Sequence, residues 1–287
     1  MVAKYAVCKK CGTRVLRISW SSLRSHLECK QIGHLKRQGN KSPLQNTRNF
    51  FPGNVTDRTV RKWLENDPHN NPNVMPQMVE QIINEVKANA EKQGNSMVWK
   101  DRGDKDIVLA QCIEAVTKIE PALNKFVLPF EYQADYKFEV PLDLPHPNGG
   151  RETVMLLGYM DIIVKDGKGD WAVWDVKHTR DEYYWKKTAG QVAFYDLAVD
   201  LIYGKPTKIV GLLQPLCKKR VRHIPLDEAG RTKIMTDIAA MATDIWKGDV
   251  EPRNDTKFCT FCPMKHACPK FKAVEVQGRR TVPLFGG

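Results

Sequence analysis

The stretch Val154-Met-Leu-Leu-Gly-Tyr-Met-Asp161-Ile-Ile-Val-Lys-Asp-Gly-Lys-Gly-Asp170-Trp-Ala-Val-Trp-Asp175-Val-Lys177 decides the architecture. Val154 to Val164 is apolar apart from the Gly158-Tyr159 pair and one acid, Asp161. Lys165 to Asp170 is a Gly-rich polar turn. Beyond it, Trp171, Val173, Asp175 and Lys177 alternate with Ala172, Trp174 and Val176. Two apolar runs joined by so short a turn predict paired antiparallel strands. Side chains repeat every second residue along a strand, so Asp175 and Lys177 share a face. A carboxylate inside an apolar run is costly to desolvate unless it is paired or bound to metal. Two such acids beside a lysine form a group able to hold a hard divalent cation against a phosphodiester.

Further along, a helical pattern from about Tyr183 to Tyr203 places Tyr184, Thr188, Gln191 and Tyr195 three or four residues apart, in one polar-aromatic stripe. Tyr183, Tyr184 and Trp185 are read as packing residues, with stacking on a nucleic-acid base as the alternative. Strands follow near 208–214 and 219–225. A last helix over about Asp227–Trp246 presents Ile234, Ile238, Met241 and Ile245 on one face. Upstream lie three helical patterns. The first carries Val60, Trp63 and Leu64; the second Met78, Val79, Ile82, Ile83 and Val86; the third Leu109, Cys112, Ile113 and Val116. Glu131 to Leu142 alternates as a strand. Strands flanked by helices, some joined by hairpins, predict an α/β fold with a mixed central sheet.

The chain of 287 residues carries 45 Lys and Arg against 33 Asp and Glu, a net charge of +12. That balance favours a polyanionic partner, most often nucleic acid. No apolar run is long enough to span a bilayer, and residues 1–10 lack the apolar segment of an export signal. A soluble, cytoplasmic protein with no membrane contact is expected. No P-loop is present, so ATP-driven movement is not expected of this chain.

The motifs Gly158-Tyr-Met-Asp161, Asp175-Val-Lys177-His-Thr179 and Gln191-Val-Ala-Phe-Tyr195 resemble, in order and spacing, the RecB-like branch of the PD-(D/E)XK nuclease superfamily. The resemblance implies a restriction-endonuclease-like core and cleavage of DNA with Mg²⁺ or Mn²⁺. It assigns Asp161 and Asp175 to the metal, Lys177 to the attacking water, and Gln191 and Tyr195 to the bound strand. The family's first motif is a His or acid on an earlier helix. Gly53-Asn-Val-Thr-Asp57 looks like that helix, with Asp57 in place of the His, and Glu131 and Asp106 are further metal candidates. The resemblance points to an exonuclease on DNA ends or single strands, in recombination, repair or spacer processing. It leaves room for a helicase or recombination protein as partner, and a small stand-alone nuclease would suit a bacteriophage. The alternatives are a catalytically idle DNA-binding module and a zinc-finger regulator.

Near the C-terminus, Cys259-Thr-Phe-Cys262-Pro-Met-Lys-His-Ala-Cys268 gives three thiols that need a fourth metal ligand. His266 would close a zinc site; a distant Cys would suit a 4Fe–4S cluster. The iron–sulphur subgroup of RecB-like nucleases, which includes AddB and the CRISPR-associated enzymes, has this spacing with its fourth Cys ahead of the first motif. That similarity implicates Cys29, Cys259, Cys262 and Cys268, as a staple joining the ends of the domain. Cys8 and Cys11, with His26 and His34, read as a small basic zinc module. Cys29 lies inside that module, so the two metal assignments compete for it. The resulting organisation is a finger-like segment at 1–35, a linker at 36–52, a nuclease core at 53–250, a cysteine cluster at 251–273 and a tail at 274–287.

Overall fold

A computed structural model describes residues 5–7, 14–40, 47–66, 74–92, 102–252, 259, 262 and 264–271. In chain order the elements are β1 (Tyr5–Val7), β2 (Arg14–Ile18), α1 (Trp20–Glu28), α2 (Lys30–Arg37), α3 (Thr47–Glu65), α4 (Met75–Lys92), α5 (Arg102–Phe126), β3 (Glu131–Pro145), β4 (Arg151–Lys165), β5 (Trp171–Val176), α6 (Tyr184–Tyr203), β6 (Ile209–Leu213), β7 (Val221–Ile224) and α7 (Glu228–Lys247). The first turn of α3 occupies part of the segment read as a linker. The chain divides into two compact units. One comprises residues 1–45, 139–157 and 235–287; the other comprises 46–138 and 158–234. The long strands β3 and β4, which pair with each other, run through both.

In the first unit β1 pairs antiparallel with β2, and β2 lies parallel to the first part of β4, Leu16 opposite Val154. Val15, Leu16 and Ile18 are buried there, which an independent basic finger would not require. Ser19 caps α1: its hydroxyl accepts from Ser22 N–H, while the Ser22 hydroxyl faces the Ser19 N–H in return. His26, buried on α1, directs Nε2 to Asp244 of α7 at 2.9 Å, and Lys30 reaches the same carboxylate at 3.0 Å.

In the second unit Ile162 of β4 stands opposite Trp174 of the antiparallel β5. The next pairing, β5 with β6, is parallel, and β6 with β7 is antiparallel, so the sheet is mixed as expected. The β4–β5 turn is closed by the Asp166 carboxylate, which accepts from the N–H groups of Lys168 and Asp170, with Gly169 at φ 77°. One face of the sheet presents Ile162, Val164, Trp174, Val176 and Leu213 to a core shared with α3, α4 and α5, including Trp63, Ile82, Ile83, Ile119 and Leu123. Alternation turns Asp161, Val173 and Asp175 to the opposite face, where α6 packs against β5, β6 and β7. Among the described residues no helix is long and apolar enough to cross a membrane.

Candidate active site

The site lies within the second unit. Continuing the β4–β5 register outward from Ile162 and Trp174 sets Asp161 directly across from Asp175. Cross-strand neighbours of this kind stand about 4.5–5.5 Å apart at Cβ. Asp161 Oδ2 accepts from Val176 N–H at 2.7 Å, which holds its carboxylate at the end of β5. Asp175 is fully buried. Its Oδ2 lies 2.6 Å from Lys177 Nζ, a close buried ion pair. Gln191 Nε2 stands 3.3 Å from Asp175 Oδ1 and 2.7 Å from the Tyr195 hydroxyl. Lys177 continues the β5 strand, its N–H donating to Leu213 C=O at 2.9 Å.

Gly158 explains why a glycine precedes this acid. A Cβ there would lie 2.8 Å from the Phe138 ring. That ring, in turn, packs 6.2 Å from Phe194 and edge-on to Tyr195 at 6.3 Å. The close approach of β3 to β4 therefore seats the face of α6 that carries Tyr195.

Burial and mutual repulsion govern the charges. Burial pushes Asp175 up to about 7; Lys177 opposes the shift, while Asp161 and Asp57 add to it. Asp57 is pushed up to about 6 by burial, with Asp161 adding and Arg61 and Lys177 opposing. Burial alone would lower the Lys177 ammonium, but Asp175 and Asp161 outweigh it and hold it above its ordinary range. Burial and the same two acids raise the Tyr195 phenol, so it stays protonated. These reciprocal effects bring Asp57, on α3, to the group formed by Asp161, Asp175, Lys177, Gln191 and Tyr195. Asp57 is held by Arg61 at 2.8 Å, which also binds Asp135 at 2.7 Å.

One contact escaped the sequence reading. His178 Nδ1 stands 2.8 Å from Thr56 Oγ1, tying the residue after Lys177 to the residue before Asp57. Burial, reinforced by Arg180, pushes this imidazole down to about 4, so it is neutral. Its only signal in the sequence was its position beside the lysine.

The other candidates are dispersed. Glu131 opens β3 with its side chain 76% exposed, 3.7 Å from Lys165 at the end of β4, and does not join the acids. Asp106 is exposed on α5. Cys8 and Cys11 lie outside the described residues. His26 is committed to Asp244, and His34 sits on α2. In the first unit Cys29, Cys262 and Cys268 pack against one apolar patch of Ile32, Leu35 and Met264. Burial raises the Cys262 thiol, and Cys29, Cys268 and Cys259 raise it further. Among the described residues no three His, Cys, Asp or Glu side chains close into a metal-binding group, at the cysteines or at the acids.

A family description of the PD-(D/E)XK nuclease superfamily matches residues 17–269. The chain belongs to the PD-(D/E)XK nuclease superfamily. Among solved structures, a presumed exonuclease from Eubacterium rectale is similar at 13% identity, with a TM-score of 0.51, over 94% of this chain and 90% of that one. That likeness shows the fold. A second structure, described only as SSO0001, aligns at 15% identity over 87% of this chain and 95% of that one, with a TM-score of 0.34. No curated protein sequence matches the chain. The mixed sheet with flanking helices is the fold expected of a PD-(D/E)XK protein, with Asp161 on β4, Asp175 on the adjacent β5 and Lys177 just past the end of β5.

Proposed function

We propose that this PD-(D/E)XK protein is a metal-dependent deoxyribonuclease of the RecB-like branch, an exonuclease acting on DNA ends or single strands. The observation that carries the reading is the pair Asp161 and Asp175, set across from each other in register, with Lys177 2.6 Å from the second acid. The donor set suits a hard cation. Asp175 is fully buried with Lys177 as its close cation, and Asp57, Asp161 and Asp175 form a local excess of negative charge. Asp161 and Asp175 would hold Mg²⁺ or Mn²⁺ with Asp57 nearby. Such an ion polarises a phosphoryl oxygen and acidifies a bound water. Lys177 orients the attacking water and offsets charge growing on the phosphate. Gln191 holds Asp175 through its amide, and with Tyr195 it lines the path of the strand. The neutral His178–Thr56 contact keeps α3, and so Asp57, against the end of β5. Recombination, repair or spacer processing would suit such an activity, alone or beside a helicase or recombination partner.

The test is end-labelled DNA, marked at the 5′ or the 3′ terminus, digested with Mn²⁺ by wild type and by Lys177→Ala. Cleavage by wild type, reduced about 10²–10³-fold in the variant, is expected. Uncut single- and double-stranded DNA in the wild-type lanes would sink the reading.

We also propose that Cys29, Cys259, Cys262 and Cys268 hold a 4Fe–4S cluster with a structural role, supported by the electrostatic convergence of the other three thiols on Cys262. The zinc assignment of Cys8, Cys11, His26 and His34 has less support, because Asp244 engages the His26 Nε2. Metal analysis of anaerobically purified protein decides: iron and sulphide lost together in Cys29→Ser support the cluster, and a colourless protein containing zinc alone refutes it.

A further inference from the structure

Two exposed aromatic rings flank the acids and have no role in the chemistry above. Tyr159 is 51% exposed and Tyr183 is 68% exposed. Tyr159 lies two residues before Asp161 on β4 and on the same face. An exposed phenol ring thus stands on the face of β4 that carries Asp161, about 7 Å along the strand from that acid.

Tyr183 occupies the N-cap of α6, the helix that carries Gln191. A rise of 1.5 Å per residue puts it about 12 Å along the axis from Gln191. A stacked strand advances about 3.4 Å per nucleotide, so that axial distance from Gln191 corresponds to about three to four nucleotides. Its backbone is pinned. Tyr183 N–H donates to Asp181 Oδ1 at 2.9 Å, and Asp181 N–H donates to Thr179 Oγ1 at 3.1 Å. Glu182 is held by Arg222 at 2.8 Å, and Cys217 Sγ donates to Thr179 C=O at 3.3 Å. The Lys186 ammonium stands 5.3 Å from the ring centroid of Tyr183. The ring is therefore presented on a fixed loop, with the Lys186 cation over one face and 68% of the residue exposed.

Resting on the nuclease reading, we propose that Tyr159 and Tyr183 are stacking platforms for unpaired bases, and that the site takes single-stranded DNA. A free aromatic face is matched by a base whose own faces are uncovered. In a duplex both faces are occupied by neighbouring pairs, whereas in a single strand they are open. Lys186 supplies the charge complement for the backbone beside Tyr183. Tyr159 holds the base next to the scissile phosphate, and Tyr183 holds one upstream or downstream of it. Both are positioning residues; neither touches the reacting atoms.

The test is anisotropy of a labelled oligothymidylate and of a blunt hairpin duplex, titrated with the full chain in chelator. Wild type is compared with Tyr159→Ala, Tyr183→Ala and the two Phe variants. Each Ala change is expected to weaken oligothymidylate binding by about 5- to 150-fold, and each Phe change to leave it near wild type. Duplex affinity stays unchanged in all four. Both rings are more than half exposed, so melting temperatures should hold and a folding defect would be visible as their loss. Ala variants that bind oligothymidylate as tightly as wild type overturn the proposal. So does an equal loss on duplex and single strand, which would mean a general contact or stacking on a blunt end. A wild type that binds oligothymidylate but cuts nothing with Mn²⁺ sinks the nuclease reading and leaves the platforms standing. A wild type that cuts single strands, matched by Tyr159→Ala and Tyr183→Ala in both binding and cutting, sinks the platforms alone.

Discussion

Gly158→Ala tests how the motif glycine serves the site. The added Cβ would lie 2.8 Å from Cε1 and Cζ of Phe138, where ordinary contact begins at 3.4 Å, so the ring must withdraw by at least 0.6 Å (3.4 minus 2.8). Phe138 is 3% exposed, and its ring neighbours are Phe194 at 6.2 Å and Tyr195 at 6.3 Å. Retreat pushes it onto α6. The Tyr195 hydroxyl is bonded to Gln191 Nε2, which is also 3.3 Å from Asp175, so the displacement reaches the acids. Overpacking of this kind costs about 1–3 kcal/mol. At about 2–4 °C per kcal/mol for a domain of this size, the melting temperature should fall by about 2–12 °C. A shift approaching 1 Å in a positioning group costs about 100-fold in rate, so a loss of about 10- to 100-fold in Mn²⁺-dependent cleavage is expected, chiefly in kcat. Phe138→Leu in the Gly158→Ala background returns the missing space. The pair should therefore be more stable and more active than the two single changes predict by addition. Wild-type melting and cleavage in Gly158→Ala, or strict additivity in the double variant, would refute the reasoning.

Other outcomes follow from the same coordinates. Asp175 and Asp57 are raised above the ordinary carboxylate value of 3.8 to about 7 and about 6. The folded chain therefore holds protons on these two acids that the unfolded chain has released, so their contribution to metal-free stability falls as pH rises from about 4 to 7, against an opposite contribution from the depressed His178 that Asp57→Asn and Asp175→Asn would leave in place. Metal must displace those protons, so the stabilisation by Mn²⁺ in thermal melts should grow from pH 5.5 to pH 8; an equal or larger shift at acid pH would contradict the assignment. Gly211→Ala would set a Cβ 2.1 Å from Cζ3 of Trp174, a ring 1% exposed and packed 5.2 Å from Phe126. A loss of about 3 kcal/mol or more is expected, read as a lower melting temperature or insolubility. By contrast Gly53→Ala, on α3 with its nearest neighbour 3.8 Å away, should stabilise the chain by about 0.5–1 kcal/mol, since Ala is the better helix former. Equal melting of the two alanine variants would refute both.

The stretch from Val154 to Lys177 was readable because period-two alternation settles faces. Once Asp161 and Asp175 are given to paired strands joined by a short turn, antiparallel register brings them across from each other, and Lys177 follows onto the same face. Gln191 and Tyr195 were readable for the same reason at helical period. What the alternation does not carry is which distant element covers a face. Glu131 opens β3, yet the long β3–β4 pairing leaves it beside Lys165, four residues along β4 from Asp161 and exposed to solvent. The stretch Arg14–Ile18 looked like part of a basic finger because it lies between Cys8 and Cys11 on one side and His26 and His34 on the other. Its partner, Val154–Leu156, lies more than a hundred residues away, and only that pairing accounts for the burial of Leu16 and Ile18. Asp57 differs again. Its type and spacing departed from the family pattern, but the His178–Thr56 contact anchors its helix next to Lys177, and its raised pKa registers the Asp161 charge directly. Burial raises the Asp57 carboxyl most, and the Asp161 charge adds to it only because it lies within reach in a poorly solvated space. On the proposed reading, the burial of Asp57 and its coupling to the nearby Asp161 charge are what favour it as a third acid of the site where spacing alone was ambiguous. The same coupling leaves Glu131, exposed and beside a lysine, outside it.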